Sequence, residues 1–250
     1  MTRPSESARV AAEKARVPTP LNDPCVVQEQ YEREDNLRAR QSIYDERQGP
    51  DGRQVVFETI AALRPRRVLE VGGGQGELAE QLTSELGVEL EFVDQSERMI
   101  ELARSRGLSA RLGDVQALPF ADGTFDCAVA AWMLYHVPDL NRGIAELARV
   151  LGPGGSLVAV TNSEHHLSEL RELFGQDVVS SFTRESGKTA LQPHFSRVER
   201  TDLDGAVTIR DRDQVIAYRD SMMTTDNSRE LVFDVPLRVR TASSVFVATR

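Results

Sequence analysis

Residues 68–82 read VLEVGGGQGELAEQL, from Val68 to Leu82. An apolar run interrupted only by Glu70 enters a glycine-rich turn, and the turn enters residues spaced as one face of a helix. A strand that empties into such a turn presents backbone N–H groups at a helix start, where the missing Cβ atoms let a ligand come close. Gly72, Gly74 and Gly76 give the spacing G-x-G-x-G. A dinucleotide fingerprint requires its third glycine one residue later, at Glu77. A carboxylate there would oppose a pyrophosphate. The spacing favours a nucleoside ligand without phosphates, although turns of this kind also serve purely structural ends.

Outward from this stretch, strands and helices alternate. Upstream, Val56, Ile60 and Leu63 recur at helical spacing until Pro65. Downstream, Leu78, Leu82 and Leu86 form one helical face that Gly87 stops. A second strand over 88–93 ends on Asp94. Ser96 then caps a helix with Ile100 and Ala103 facing inward, and a third strand over 108–112 ends at Gly113 and Asp114. Further strands are expected over 125–131 and 156–161, separated by a helix over 140–150 and the turn Gly152-Pro153-Gly154-Gly155. This alternation requires a parallel sheet with right-handed crossovers and helices on both faces. Past Asn162 the expectation is a helix over 163–174, a strand over 197–203 and a separate apolar run over 206–209. A helix over 214–222 and a final strand over 243–249 complete it.

With 250 residues and 40% hydrophobic content the chain can bury one large α/β core. A formal net charge of -9 argues against the broad basic face of a nucleic-acid binder. Cys25 and Cys127 stand far apart without C-x-x-C spacing, so neither a metal site nor a disulfide framework is expected. No apolar run approaches the roughly 20 residues of a membrane span, and residues 1–20 lack a signal-peptide core. The expectation is a cytoplasmic monomer or homodimer with a mobile tail over 1–20 and a single domain over 21–250.

The glycine turn, Asp94, GDVQALPF at 113–120, FDCAVA at 125–130 and LGPGG at 151–155 together resemble the class I S-adenosylmethionine-dependent methyltransferases. The similarity is to the small-molecule group of ubiquinone and menaquinone biosynthesis, and it extends over roughly residues 55–161. It implies a doubly wound, Rossmann-like sheet of seven mostly parallel strands with the last antiparallel. A helical lid over 21–52, a cofactor-binding core over 53–161 and acceptor-side elements over 162–250 follow from it.

The resemblance also assigns roles. Gly72, Gly74 and Gly76 would pass beside the methionine and ribose of S-adenosylmethionine, with Glu70 beneath them reaching the amino group or bonding the turn itself. Asp94 would accept from both ribose hydroxyls. Gln95 and Met99 would border the adenine, Asp114 and the Val115 backbone would contact its edge, and Ala131 would line the sulfur end. Tyr31 and Arg40, in the lid, would bind the cofactor carboxylate or the acceptor. On the acceptor side stand Trp132, Asn162 and His166.

His136 is the candidate general base, since a histidine is largely neutral near pH 7; its other reading is a residue that fixes the loop before Pro138. His165 and His166 point about 100° apart on a helix, which disfavours a shared metal; two surface residues are the expectation, the other reading being that one of them faces the acceptor pocket. The leading reading is methyl transfer to a small-molecule acceptor, possible acceptors including quinones and specialised metabolites. An NAD(P)-dependent oxidoreductase, a non-catalytic binding scaffold or sensor, and an RNA methyltransferase are the alternatives.

Overall fold

The structure is a computed structural model describing residues 19–20, 39–176, 178–222 and 231–250. The expected tail and most of the expected lid, Tyr31 included, lie outside the described residues apart from β1 (Thr19–Pro20). In chain order there follow β2 (Arg47–Gln48), α1 (Gly52–Leu63), β3 (Arg67–Val71), α2 (Glu77–Leu86), β4 (Glu89–Asp94), α3 (Glu97–Ser105) and β5 (Ser109–Leu112). After them come β6 (Phe125–Ala131), α4 (Leu140–Val150), β7 (Leu151–Asn162), α5 (Ser168–Phe174), β8 (Val178–Val179) and α6 (Gly187–Leu191). The last elements are β9 (Arg197–Ile209), α7 (Arg212–Asp220) and β10 (Leu237–Thr249). β1 pairs only with β8.

The remaining strands form one sheet in the order β2-β9-β10-β7-β6-β3-β4-β5. The run from β7 to β5 is parallel, whereas β10 is antiparallel to both β7 and β9. Strand β2 adds an eighth member to the seven expected, through Arg47 opposite Val207 and Gln48 opposite Ala206. It is two polar residues long, too short to carry a period.

Both faces of the sheet are covered, as the alternation of buried residues along each strand demands. Leu69, Ala128 and Leu157 pack with Ile144 and Leu147 of α4 and Leu191 of α6. Their neighbours Val68, Val129 and Val158 pack on the other face with Ile60, Leu82 and Ile100 from α1, α2 and α3. A third cluster, around Leu170, Val207, Val215 and Val239, closes the β9–β10 end beneath α5 and α7.

Caps hold the helices where the sequence placed them. Asp51 accepts from the Arg53 N–H to start α1, Ser96 accepts from the Met99 N–H to start α3, and Gly87 closes α2 at φ +67°. Past Asn162 the boundaries shift. The helix expected over 163–174 starts only at Ser168, because residues 164–167 form a turn that ends on Leu167 at φ +52°. The two apolar runs at 197–203 and 206–209 are one continuous strand. Gly205, which reads locally as a turn, sits in mid-strand because the Gln48 carbonyl crosses so close that a Cβ there would lie 2.4 Å from its oxygen.

Candidate active site

The turn after β3 takes three glycines through left-handed backbone, at φ +65° for Gly72, +61° for Gly74 and +77° for Gly76. Gly73 does not need that freedom but lacks room: a Cβ there would stand 2.5 Å from the Glu70 carboxyl and 2.7 Å from the Phe92 ring. The turn therefore lies directly on Glu70. That side chain is 1% exposed. It accepts from the Ala79 backbone N–H, while its Oε2 is buried with no partner among the described residues. Burial, reinforced by the charge of Asp94, pushes its pKa up to about 8, so the carboxyl is largely protonated near neutrality. A buried carboxyl oxygen left unmatched beneath a bare backbone turn suits a ligand that brings a cationic amino group.

Asp94 ends β4 at 7% exposure. Burial raises its pKa to about 6, against the opposing bonds from the Ser96 and Gln95 N–H groups, and it is mainly ionised at pH 7. With one Oδ accepting from Ser96 at 2.9 Å, lone pairs remain for further donors. β3 and β4 pair in register, and the Gly72 N–H donates to the Val93 carbonyl at 2.8 Å, so Asp94 stands beside the turn. Gln95 is exposed, while Met99 is buried on the inner face of α3. Asp114 caps the short 3-10 turn Val115–Ala117, accepting from the Gln116 backbone at 2.8 Å and from its side-chain amide. Val115 is a core residue.

A cavity of about 1040 Å³ opens over the carboxyl ends of the parallel strands. Its walls take in Glu70, Gly72, Gly74, Ala131, Trp132 and His136. Arg40, Asn162 and His166 also line it. Gly76, Asp94, Gln95, Met99, Asp114 and Val115 are not on these walls, so the expected residues divide into a group facing the cavity and a group outside it.

Trp132 has φ +54°, an unusual conformation for a bulky residue. Its indole donates to Asn162 Oδ1 at 3.2 Å and fills the space left by Gly52 at the start of α1. Asn162 also accepts from the Ser243 hydroxyl at 2.8 Å. Both residues thus join β6 and β7 to α1 and β10 as well as lining the cavity. His136 ends a 3-10 turn, edge-on to Tyr135 with ring centroids 4.5 Å apart.

Of the two histidines, His166 is the one that turns inward to the cavity rather than lying on the surface. It is half-buried on the cavity wall, with its Nδ1 accepting from the Ala242 N–H at 3.0 Å and its Nε2 3.0 Å from the Tyr44 hydroxyl. Burial pushes its pKa down to about 4. His165, the neighbouring residue, is exposed as expected. Sequence reasoning missed Tyr44, Arg171 and Tyr218 as cavity residues, because they come from segments without a clear period and meet only through the sheet edge.

Residues 69–159 match the family described as a methyltransferase domain. The demethylmenaquinone methyltransferase of Renibacterium salmoninarum is 27% identical over 143 residues, covering 56% of this chain and 60% of that protein. Its counterpart in Thermus thermophilus is 38% identical over 103 residues, covering 38% of this chain and 47% of that protein. The chain therefore spans about half the length of the curated relatives it matches. Among solved structures, the N-methyltransferase NodS of Bradyrhizobium japonicum, in complex with S-adenosylhomocysteine, shares the fold at TM-score 0.54 and 19% identity, covering 93% of this chain and 98% of that one. Over residues 69–159 this chain is thus similar to the methyltransferase domain family, and the relatives that share this segment include demethylmenaquinone methyltransferases.

Proposed function

We propose that the protein transfers a methyl group from S-adenosylmethionine to a small-molecule acceptor held in the cavity. The observation that carries this reading is the unmatched Glu70 oxygen under the glycine turn, at the wall of a 1040 Å³ space. Glu70 would receive the ammonium of the methionine moiety and ionise on doing so, the turn would admit its backbone, and Asp94 would accept from the ribose hydroxyls. The bound cofactor supplies a methyl group on an already activated sulfonium. What remains for the chain is alignment, which provides most of the available rate.

Ala131 and Trp132, at the carboxyl end of β6, would fix the line of approach. His136, on the same wall, is the group that would take a proton from an acceptor that must lose one. A cavity of about 1040 Å³ and a net charge of -9 support a small molecule over a nucleic acid, and the relatives' names make a quinone-type acceptor the first to try.

Isothermal titration with S-adenosylhomocysteine tests the reading. Micromolar binding that weakens roughly tenfold or more in Asp94→Ala is expected, from the loss of charge-assisted hydrogen bonds. No binding, or binding indifferent to Asp94→Ala, would sink it. Stabilisation by NADH in its place would favour the oxidoreductase.

A further inference from the structure

Far from the glycine turn, the cavity ends among α5, α7 and the segment before β2. Arg171 of α5 lines it, donating through Nη2 to the Glu164 carbonyl. Among the described residues its Nε is buried with no hydrogen-bond partner, and no carboxylate forms an ion pair with it. Of the carboxylates lining the cavity, Asp51 pairs with Arg47 at 2.8 Å, Glu77 pairs with Arg53 at 2.6 Å and Glu70 is held protonated, while Asp45 and Glu164 line it without an ion pair to Arg171 among the described residues. Burying a guanidinium N–H without an acceptor is costly unless something arrives to meet it.

Two hydroxyls stand with it. Tyr218 of α7 stacks on Phe174 with centroids 6.2 Å apart, and its hydroxyl has no hydrogen-bond partner among the described residues. Tyr44 meets His166, whose Nδ1 accepts from a backbone N–H. The neutral ring must then carry its proton on Nε2 and donate it to Tyr44 Oη, which leaves the tyrosine's own proton to give elsewhere. Burial raises both phenol pKa values and lowers that of His166, so all three groups are neutral and the tyrosines remain donors. Arg171, Tyr218, Tyr44 and His166 line the same cavity, and Tyr218 and Tyr44 pack into one cluster with Leu170 and Phe174 of α5.

We propose that this end of the cavity is an oxyanion subsite, in which Arg171, Tyr218 and Tyr44 hold an ionised oxygen group, a carboxylate or an ionised phenol, carried by the methyl acceptor. The assignment to the acceptor rests on the methyl-transfer reading above; the preference for an anion does not.

The test is calorimetric, with and without saturating S-adenosylhomocysteine. Benzoate is compared with benzamide, and ionised 4-nitrophenol with nitrobenzene, which separates the two sources of the oxyanion. At least one anion should bind roughly tenfold to a hundredfold more tightly than its neutral partner. Arg171→Gln and the shape-preserving Tyr218→Phe should each reduce that preference while leaving S-adenosylhomocysteine affinity unchanged. Equal binding of anion and neutral partner would overturn the subsite, as would a preference that survives both substitutions. Weakened S-adenosylhomocysteine binding in Arg171→Gln would also overturn it, by placing the guanidinium on the cofactor's carboxylate. If the unaltered protein binds no S-adenosylhomocysteine, the methyl-transfer reading fails, and the comparison in its absence still decides the subsite.

Discussion

Glu70 concentrates the chemistry of the site into one titrating group. Its pKa lies near 8 in the folded protein against an ordinary 4.5, so between those values the folded state retains a proton that the unfolded chain releases. Stability from this group is therefore full below about pH 4.5 and falls as pH rises toward 8, by up to about 1.4 kcal/mol per unit. Thermal melts of the unliganded protein should show this decline, and Glu70→Gln should flatten it. A decline of equal slope in the variant would mean that Glu70 ionises without penalty. His166 works in the opposite direction: with its pKa lowered from 6.5 to about 4, it withdraws stability as pH falls through that window. The sequence could point to Glu70, because the strand and turn around it are contiguous. It could not show which of two adjacent histidines faces inward, since that depends on the distant Ala242 N–H and Tyr44 hydroxyl.

At the scale of elements, the short strand β2 fastens the cavity's edge. It pairs through two residues, and Gly205 makes the pairing possible. Gly205→Ala should set a Cβ against the Gln48 carbonyl, lower stability by about 1–3 kcal/mol and speed amide exchange over residues 39–50. Unchanged exchange there would show that β2 tolerates the shift. The same contact explains what was legible beforehand. β3 to β6 and their helices could be read because apolar blocks and glycine stops are local signals, and β6 and α4 have the expected bounds. β9 was split in expectation because Asp204-Gly205 has turn chemistry, while its reason for being lies more than 150 residues upstream at Gln48. The early start of β10 was missed where exposed Arg238 and Arg240 alternate with buried Val239 and Thr241, the mark of a strand with one solvated face.

Across the whole molecule, the sheet divides into a parallel part that carries the glycine turn and an antiparallel part, β10, β9 and β2, that walls the other end of the cavity. A ligand filling the space between them should act on both. At a concentration of about 100 times its Kd, S-adenosylhomocysteine should add about 2.7 kcal/mol of stability. For a chain of this size the melting temperature should then rise by roughly 5–10 °C. Scanning calorimetry measures this directly, and a rise confined to one of two separate transitions would show that the parts unfold independently.

The seam between those parts joins β7 to β10, with Ser243 opposite Asn162 across 81 residues of chain. The parallel strands can assemble through successive short crossovers as the chain lengthens, but β10 cannot dock until everything between has been made. Until then a nascent chain carries β7 as an unfinished edge, with Leu157, Val158 and Val160 in a strand that has not yet met its last partner. Newly synthesised protein is thus most vulnerable to self-association in that interval, and β10 is the strand whose late arrival ends it.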